Sequence, residues 1–496
     1  MADRSDGAPL PALHRLHPSS LLFSLGQILR QAGTILFFAL FAARGAGWDL
    51  ILLITFLPTM VLAVLRYLTY GYRFADGELI VQEGLFARRA RHIPYDRVQN
   101  IEQRQGPVHR MLGVVELRLQ TGSGSEPEAS LRVLSLAAAD ELRARVGAAR
   151  PQVSTADAAA GPRVVLELGL RDVMLHGLLH GRSLILIAAL WGVLWQWSES
   201  LGVDPTGLIQ RLNPQAMTGR VAPVLASILG ALVLLAAALL VLRLLSVAWA
   251  LLSTFGFVLT RDGDLLRTSH GLISRFAATI PRHRIQVLTV RQSVLDRWLD
   301  RAVVQVETAG SFSDDQARTL APSLAPIVRR ANLAALVSEA LPHVDLDHVA
   351  WQPIDPRGVA RLRRRAAIVG SVLCLLLWPL TGAWSLLIGA LWIAHQSITA
   401  PWTIGAWRYA LMSDAIAVQS GWWTRHTSLA RFERVQAVVV AETPFDRRWG
   451  MRRLRIDTAG QGRAGHQLAL AFLPGPEALS LYEEIRSRAA ATELHW

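Results

Sequence analysis

The groups in this chain whose spacing recurs and that could do chemistry are chiefly guanidinium groups. Its 51 basic residues are all arginine, set against 38 acidic residues, for a formal net charge of +13. Guanidinium pairs bidentately with phosphate and carboxylate oxygens. One polar set recurs in register three times: Arg97, Gln99, Arg110; then Arg284, Gln286, Arg297; then Arg434, Gln436, Arg447. Each set ends on a threonine, at Thr121, Thr308 and Thr458. Arginines so placed either face phosphate-bearing headgroups or tie a turn to carboxylates and carbonyls of their own module. All three copies hold the set whatever varies around it, and that uniformity favours the fold-holding role. The less regular arginines are better candidates for lipid contact: Arg88, Arg89 and Arg91, then Arg261, Arg267 and Arg275, then Arg448, Arg452, Arg453 and Arg455.

Two further clusters have helical spacing. Gln27, Arg30 and Gln31 fall on one face of the first apolar run. An ionisable group at membrane depth is a functional candidate, and the competing reading is a tilted helix with Arg30 snorkelling to the interface. His176 and His180 stand four apart, but the stretch reads HGLLH, with neither general base nor third ligand, so no metal site is expected. The lone Cys374 cannot form an internal disulfide. Asp296–Arg297 and Asp446–Arg447 are adjacent charges in turns, without an acid/base partner. No phosphate loop, nucleotide fingerprint or nucleophile elbow occurs, so neither cofactor nor enzymatic activity is expected. No recognition helix or RNA-binding motif accompanies the basic excess, so no nucleic-acid partner is expected.

The elements that must position these residues are long apolar runs. At 52% hydrophobic residues and a mean hydropathy of +0.31, the chain reads as a membrane protein. Residues 1–20 form a tail that lacks the pattern of a cleaved signal peptide. Residues 21–70 hold one hydrophobic hairpin, residues 166–256 an interfacial helix and a second, and residues 366–408 a third. Each is followed by a module rich in short strands, over residues 71–148, 257–340 and 409–490, with linkers at 149–165 and 341–365. VVELRLQT at 114–121 alternates apolar and polar, as a half-buried strand does. Asp76-Gly77 and Asp262-Gly263 signal hairpins, and Ser413-Asp414 stands in their place in the third copy. Each module is expected to close with a helix, at about 136–146, 323–337 and 475–488. Arginine crowds the module-side flanks, so both termini and all modules are expected in the cytoplasm.

The repeat carries a resemblance. Ile93-Pro94-Tyr95-Asp96-Arg97-Val98-Gln99 and Ile280-Pro281-Arg282-His283-Arg284-Ile285-Gln286 precede a Gln-x4-Arg turn and a strand ending in Thr-Gly. That pattern resembles the bacterial pleckstrin-homology (PH) family, of the membrane-flanking type first classed as a domain of unknown function. The third copy departs from it, with Arg431 in place of proline and Glu442 in place of Gln105 and Gln292. The resemblance covers nearly the whole chain. It implies an α+β membrane protein of six transmembrane helices in three hairpins, each followed by a PH-like β-barrel or sandwich with a C-terminal helix. It implies no known activity and only hints at envelope-stress tolerance. The expectation is a non-enzymatic inner-membrane scaffold whose partners are the lipid membrane and another membrane or cytoplasmic protein. The alternative is transport or lipid handling along a path lined by Arg30. The oligomeric state is left open.

Overall fold

The computed structural model describes residues 14–15, 61, 64–65, 69–75, 77–83, 89–121, 129–149, 162–180, 221–308, 323–346, 348–458 and 468–491. Copy one contains β1 (His14–Arg15), β2 (Gly71–Ala75), β3 (Glu78–Glu83), β4 (Arg89–Pro94), β5 (Val98–Gln105), α1 (Pro107–Met111), β6 (Val114–Thr121), β7 (Ala129–Ser135) and α2 (Leu136–Ala149). Copy two contains β8 (Arg163–Glu167), α3 (Leu170–His180), α4 (Val221–Thr254), β9 (Val258–Asp262), β10 (Leu265–His270), β11 (Arg275–Pro281), β12 (Ile285–Gln292), α5 (Val294–Trp298), β13 (Arg301–Thr308), β14 (Ser323–Arg329) and α6 (Leu333–Ala340). Copy three contains β15 (Gln352–Pro353), α7 (Gly358–Thr381), α8 (Trp384–Gly405), β16 (Arg408–Leu411), β17 (Ala415–Ser420), β18 (Arg425–Arg431), β19 (Val435–Ala441), α9 (Pro444–Arg448), β20 (Met451–Thr458), β21 (Leu468–Pro474) and α10 (Gly475–Ala491).

The sheets do not respect the boundaries of the copies. Strand order is β1-β2-β3-β4, then β7-β6-β5-β11-β10-β9-β8, then β14-β13-β12-β18-β17-β16-β15, then β19-β20-β21. The second half of each copy therefore joins the first half of the next, through the seams β5–β11 and β12–β18. The expectation of three self-contained barrels gives way to PH-like halves linked by shared sheets. In β12, IQVLTVRQ is buried everywhere except Arg291. By contrast β20 alternates buried and more open positions along most of its length.

The closing helices dock by helical spacing. Ala139, Leu142 and Val146 of α2 enter the copy-one core with Leu117, Leu119 and Leu131. Ala478, Leu481 and Ile485 of α10 repeat that spacing in copy three, where the core also takes Val287 from copy two. Each fully buried Leu or Val contributes roughly 1.5–3 kcal/mol. In copy two the expected helix at 323–337 is half strand. Ser323–Arg329 pairs with β13 and the helix starts only at Leu333. A short apolar run around Pro326 suits a buried strand as well as a helix. The spans read as linkers carry β8 and β15, and α7 already begins at Gly358.

Tight turns repeat too. After the short helices α1, α5 and α9, the chain passes through left-handed φ at Gly113 (65°), Asp300 (57°) and Gly450 (63°). Glycine and aspartate tolerate that region better than most residues.

Among the described residues one helix, Gly358–Thr381, is long and apolar enough to cross a membrane. The apolar runs at 21–43 and 183–197, most of 48–70, and Gln27, Arg30 and Gln31 lie outside the described residues. Six spans are therefore not what the described residues show. α8 returns antiparallel along α7 through small residues. A Cβ on Gly389 would meet Cys374 Sγ at 2.0 Å, and one on Gly370 would meet Ile393 Cγ1 at 2.4 Å.

The chain forms two compact units, the smaller comprising residues 167–258 and 269–274. Within the smaller unit α3 packs on α4 at Gly177, where a Cβ would meet Val247 Cα at 2.7 Å. Ser246 Oγ donates to Gly177 O at 2.7 Å and Arg243 to Leu178 O at 2.8 Å. Arg243 lies within its helix. α4 runs unbroken to Thr254, and the guanidinium caps the carbonyl end of α3. His176 and His180 stack at 5.2 Å between ring centroids. Among the described residues no group of three His, Cys, Asp or Glu side chains could hold a metal.

Candidate membrane-facing surface

The two internal seams bring strand ends together that are far apart in sequence. In the sheet β14-β13-β12-β18-β17-β16-β15, the register sets Arg301 opposite Arg329, Gln292 opposite Arg425, and Gln419 opposite Arg408. Arg408 also stands opposite Pro353 of β15. One end of this sheet therefore gathers Arg301, Arg329, Arg330, Arg408 and Arg425, with Arg297 from the turn after β12. Asp296 and Asp300 lie at the same end, and Asp296 is fully buried in the capping box of α5.

Electrostatics set this end apart. Burial holds the Arg425 guanidinium below its ordinary pKa, and Arg297, Arg408 and Arg330 push it the same way. Its Nε is buried without a hydrogen-bond partner among the described residues. Like charges gathered this closely favour an anion between them.

The same end carries large apolar side chains in the open. Trp298 is 80% exposed, Trp423 64%, Trp402 55% and Leu295 49%. Trp402 of α8 packs on Trp422 at 5.4 Å, and Trp422 on Trp423 at 5.5 Å. Arg297 donates to Trp422 O at 2.8 Å, pinning the β17–β18 hairpin to the turn after β12. α7 leaves the fold just after β15, and α8 re-enters it just before Arg408. The arginine row and the tryptophans thus surround the foot of this helical hairpin. Aromatic rings and arginines at such a level suit a membrane interface.

The neighbouring turn belongs to α9, on which Phe445 is 60% exposed. Asp446 closes its capping box, accepting from Thr443 N at 3.0 Å and Thr443 Oγ1 at 2.7 Å. It also pairs with Arg361 at the foot of α7.

The repeated polar set is placed unevenly. Arg97 and Arg110 are exposed, and the side chain of Gln99 lies outside the described residues. Arg284 is half-buried, its pKa lowered by burial and then by Arg434 across the seam. Arg434 contacts Glu433 at 3.3 Å, and Arg447 contacts Glu442 at 3.2 Å. Gln286 is buried inside the second seam, whereas Gln436 is exposed on β19. Arg452 contacts Glu442 at 3.3 Å, and Arg453 and Arg91 are exposed. Arg88 and the side chain of Arg89 lie outside the described residues. Arg261 pairs with Glu339 at 2.8 Å, Arg267 with Asp262 at 2.9 Å and Arg455 with Asp457 at 2.7 Å.

Sequence reasoning missed Arg330, Arg408 and Arg425 as a group, because pairing between copies assembles them. A signal existed in the repeat itself: Arg425 recurs as Arg275 and Arg88 at the same step. It also missed the role of Asp296 and Asp446, which Ser-x-x-Asp and Thr-x-x-Asp announce as capping boxes.

The bacterial PH domain family model matches residues 20–150, 220–340 and 364–489. The UPF0699 transmembrane protein YdbT of Bacillus subtilis (strain 168) is 22% identical over 419 residues, covering 80% of each chain. No solved structure matches. Matched three times over most of its length, the chain belongs to the bacterial PH domain family.

Proposed function

We propose that this protein is a non-enzymatic scaffold of the bacterial inner membrane, whose linked PH-like modules sit on the cytoplasmic leaflet and present their remaining surfaces to partner proteins. The observation that carries the reading is the arginine row of Arg297, Arg330, Arg408 and Arg425 at the foot of α7 and α8, beside Trp298, Trp402 and Trp423. The name of the Bacillus relative, a transmembrane protein, and the apolar α7 support membrane anchoring. Asp296, Asp446, Gln105 and Gln292 are engaged in holding turns, which fits a framework better than a reaction centre. Basic residues near an anionic leaflet contribute about 1 kcal/mol each, screened by salt.

Depth measurement tests this. In a Cys374→Ser background, single cysteines replacing Trp298, Trp423 or Ser413 carry a fluorophore in vesicles containing anionic lipid and a headgroup quencher. Ser413 lies in the β16–β17 turn, at the opposite end of the sheet. Probes at 298 and 423 should be quenched and the probe at 413 spared. Equal quenching at all three positions, or none, overturns the reading.

A further inference from the structure

The two internal seams are built alike. In the first, Arg275, Phe276, Ala277 and Ala278 of β11 stand opposite Gln105, Arg104, Gln103 and Glu102 of β5. In the second, Arg425, His426, Thr427 and Ser428 of β18 stand opposite Gln292, Arg291, Val290 and Thr289 of β12. Arg425 is the repeat counterpart of Arg275, and Gln292 that of Gln105, so both seams use one register.

Among the described residues this rule leaves two strands over. β4, the counterpart of β11 and β18, ends the first sheet, and β19, the counterpart of β5 and β12, ends the last. β19 reads VQAVVVA, the composition of a central strand, without proline or charge. Its counterpart β12 is almost wholly buried by β18, yet in β19 Gln436, Ala437, Val439 and Ala441 are exposed. A long apolar edge of this kind is a template for another strand.

We infer that copies of this chain associate head to tail, β19 of one copy pairing antiparallel with β4 of the next in the register of the internal seams. That register sets Ala441 opposite Arg89, Val440 opposite Ala90, Val439 opposite Arg91, and Val438 opposite His92. The basic edge of β4 opposes pairing with another β4, because Arg91 and His92 would approach their own kind. Such an interface uses different surfaces on the two partners, and it propagates until it closes on itself or runs on.

Cross-linking in membranes tests the register. Two differently tagged full-length chains are co-expressed in a Cys374→Ser background, one carrying Ala90→Cys and the other Val440→Cys. Mild oxidation should join the two tags, while Val438→Cys paired with Ala90→Cys should cross-link at least fivefold less. Val439→Arg, opposite Arg91 in this register, should reduce the 90–440 product, and Arg91→Glu on the other chain should restore it. Absence of a 90–440 product, equal yields at 438 and 440, a dominant 440–440 product, or capture of position 440 by a different protein overturns the proposal. The readout does not depend on where the lipid surface lies, so it stands apart from the test of leaflet contact.

Discussion

Arg361, at the foot of α7, forms an ion pair with Asp446, the carboxylate that closes the capping box of α9. Its guanidinium also lies 4.8 Å above the ring of Phe472. Both charges are largely enclosed, with 15% and 6% of their side chains exposed. The apolar helix is thereby tied to the third module by a side-chain contact as well as by the chain itself.

Breaking this pair from either side should be unequal. Arg361→Ala leaves a buried carboxylate without its counter-charge, a loss of about 3–5 kcal/mol. Asp446→Asn keeps an oxygen for the Thr443 donors and turns its NH2 toward Arg361, whose long side chain can carry its charge out to solvent, so it should destabilise less. Thermal unfolding of the purified chain in detergent should rank wild type above Asp446→Asn above Arg361→Ala. Equal melting of Arg361→Ala and wild type would show the pair to be a surface contact.

The repeated glutamine offers a sharper comparison. Gln105 Nε2 donates to Val114 O at 3.1 Å and Gln292 Nε2 to Arg301 O at 3.3 Å, each bridging the strands on either side of a turn helix. Glu442 occupies the same step in copy three and contacts Arg447 and Arg452 instead. Gln292→Glu should therefore destabilise by about 1–3 kcal/mol, because an acceptor replaces the donor beside a carbonyl in a nearly closed site. Glu442→Gln should shift stability by less than about 1 kcal/mol, since it removes only open ion pairs. Matching losses in the two variants would contradict this account.

How far the sequence is legible follows from the kind of information each feature uses. The period was open to reading because Arg97, Arg284 and Arg434 recur at fixed steps. So were the alternating strand β6 and the closing helices α2 and α10, whose patterns are local. The pairing partner of β12 was not. β18 lies 139 residues away from it where Thr289 meets Ser428, and nothing in IQVLTVRQ separates a seam strand from an edge strand. β12 and β19 have nearly the same pattern and opposite surroundings. The arginine row shares that origin: taken singly, Arg330, Arg408 and Arg425 each read as a solvated charge.

pH dependence should appear at His270, in the smaller unit. Burial lowers its pKa from the ordinary 6.5, and the hydrogen bond to Ser253 O, 2.7 Å long, only partly opposes this. The folded state thus resists protonation, and the unfolded chain binds the extra proton first. The contribution of this group is fully present above pH 6.5 and is lost as pH falls from there toward the lowered folded value. Melting temperature measured from about pH 7.5 to about pH 5 should fall more steeply in wild type than in His270→Gln. Parallel profiles would remove His270 as a source of the slope.

The last prediction concerns the packing of α7 against α8. A Cβ at Gly389 would meet Cys374 Sγ at 2.0 Å, while Cys374 Cβ lies 3.6 Å away and Gly370 O 3.0 Å away. Most of the obstruction is thus one sulfur atom, and the remainder is a tight backbone approach. Gly389→Ala alone should push the helices apart and lower the melting temperature in detergent, since overpacking typically costs about 1–3 kcal/mol. Cys374→Ala removes the sulfur and its hydrogen bond to Ser385 O, 3.2 Å long, a small loss by itself. Combined, the two substitutions should be less destabilising than Gly389→Ala alone, because the added methyl group occupies the space the sulfur vacates. Full rescue is not expected, since Gly370 O still limits the approach. If the double variant melts lower than either single one, the two helices do not pack through this pair of residues.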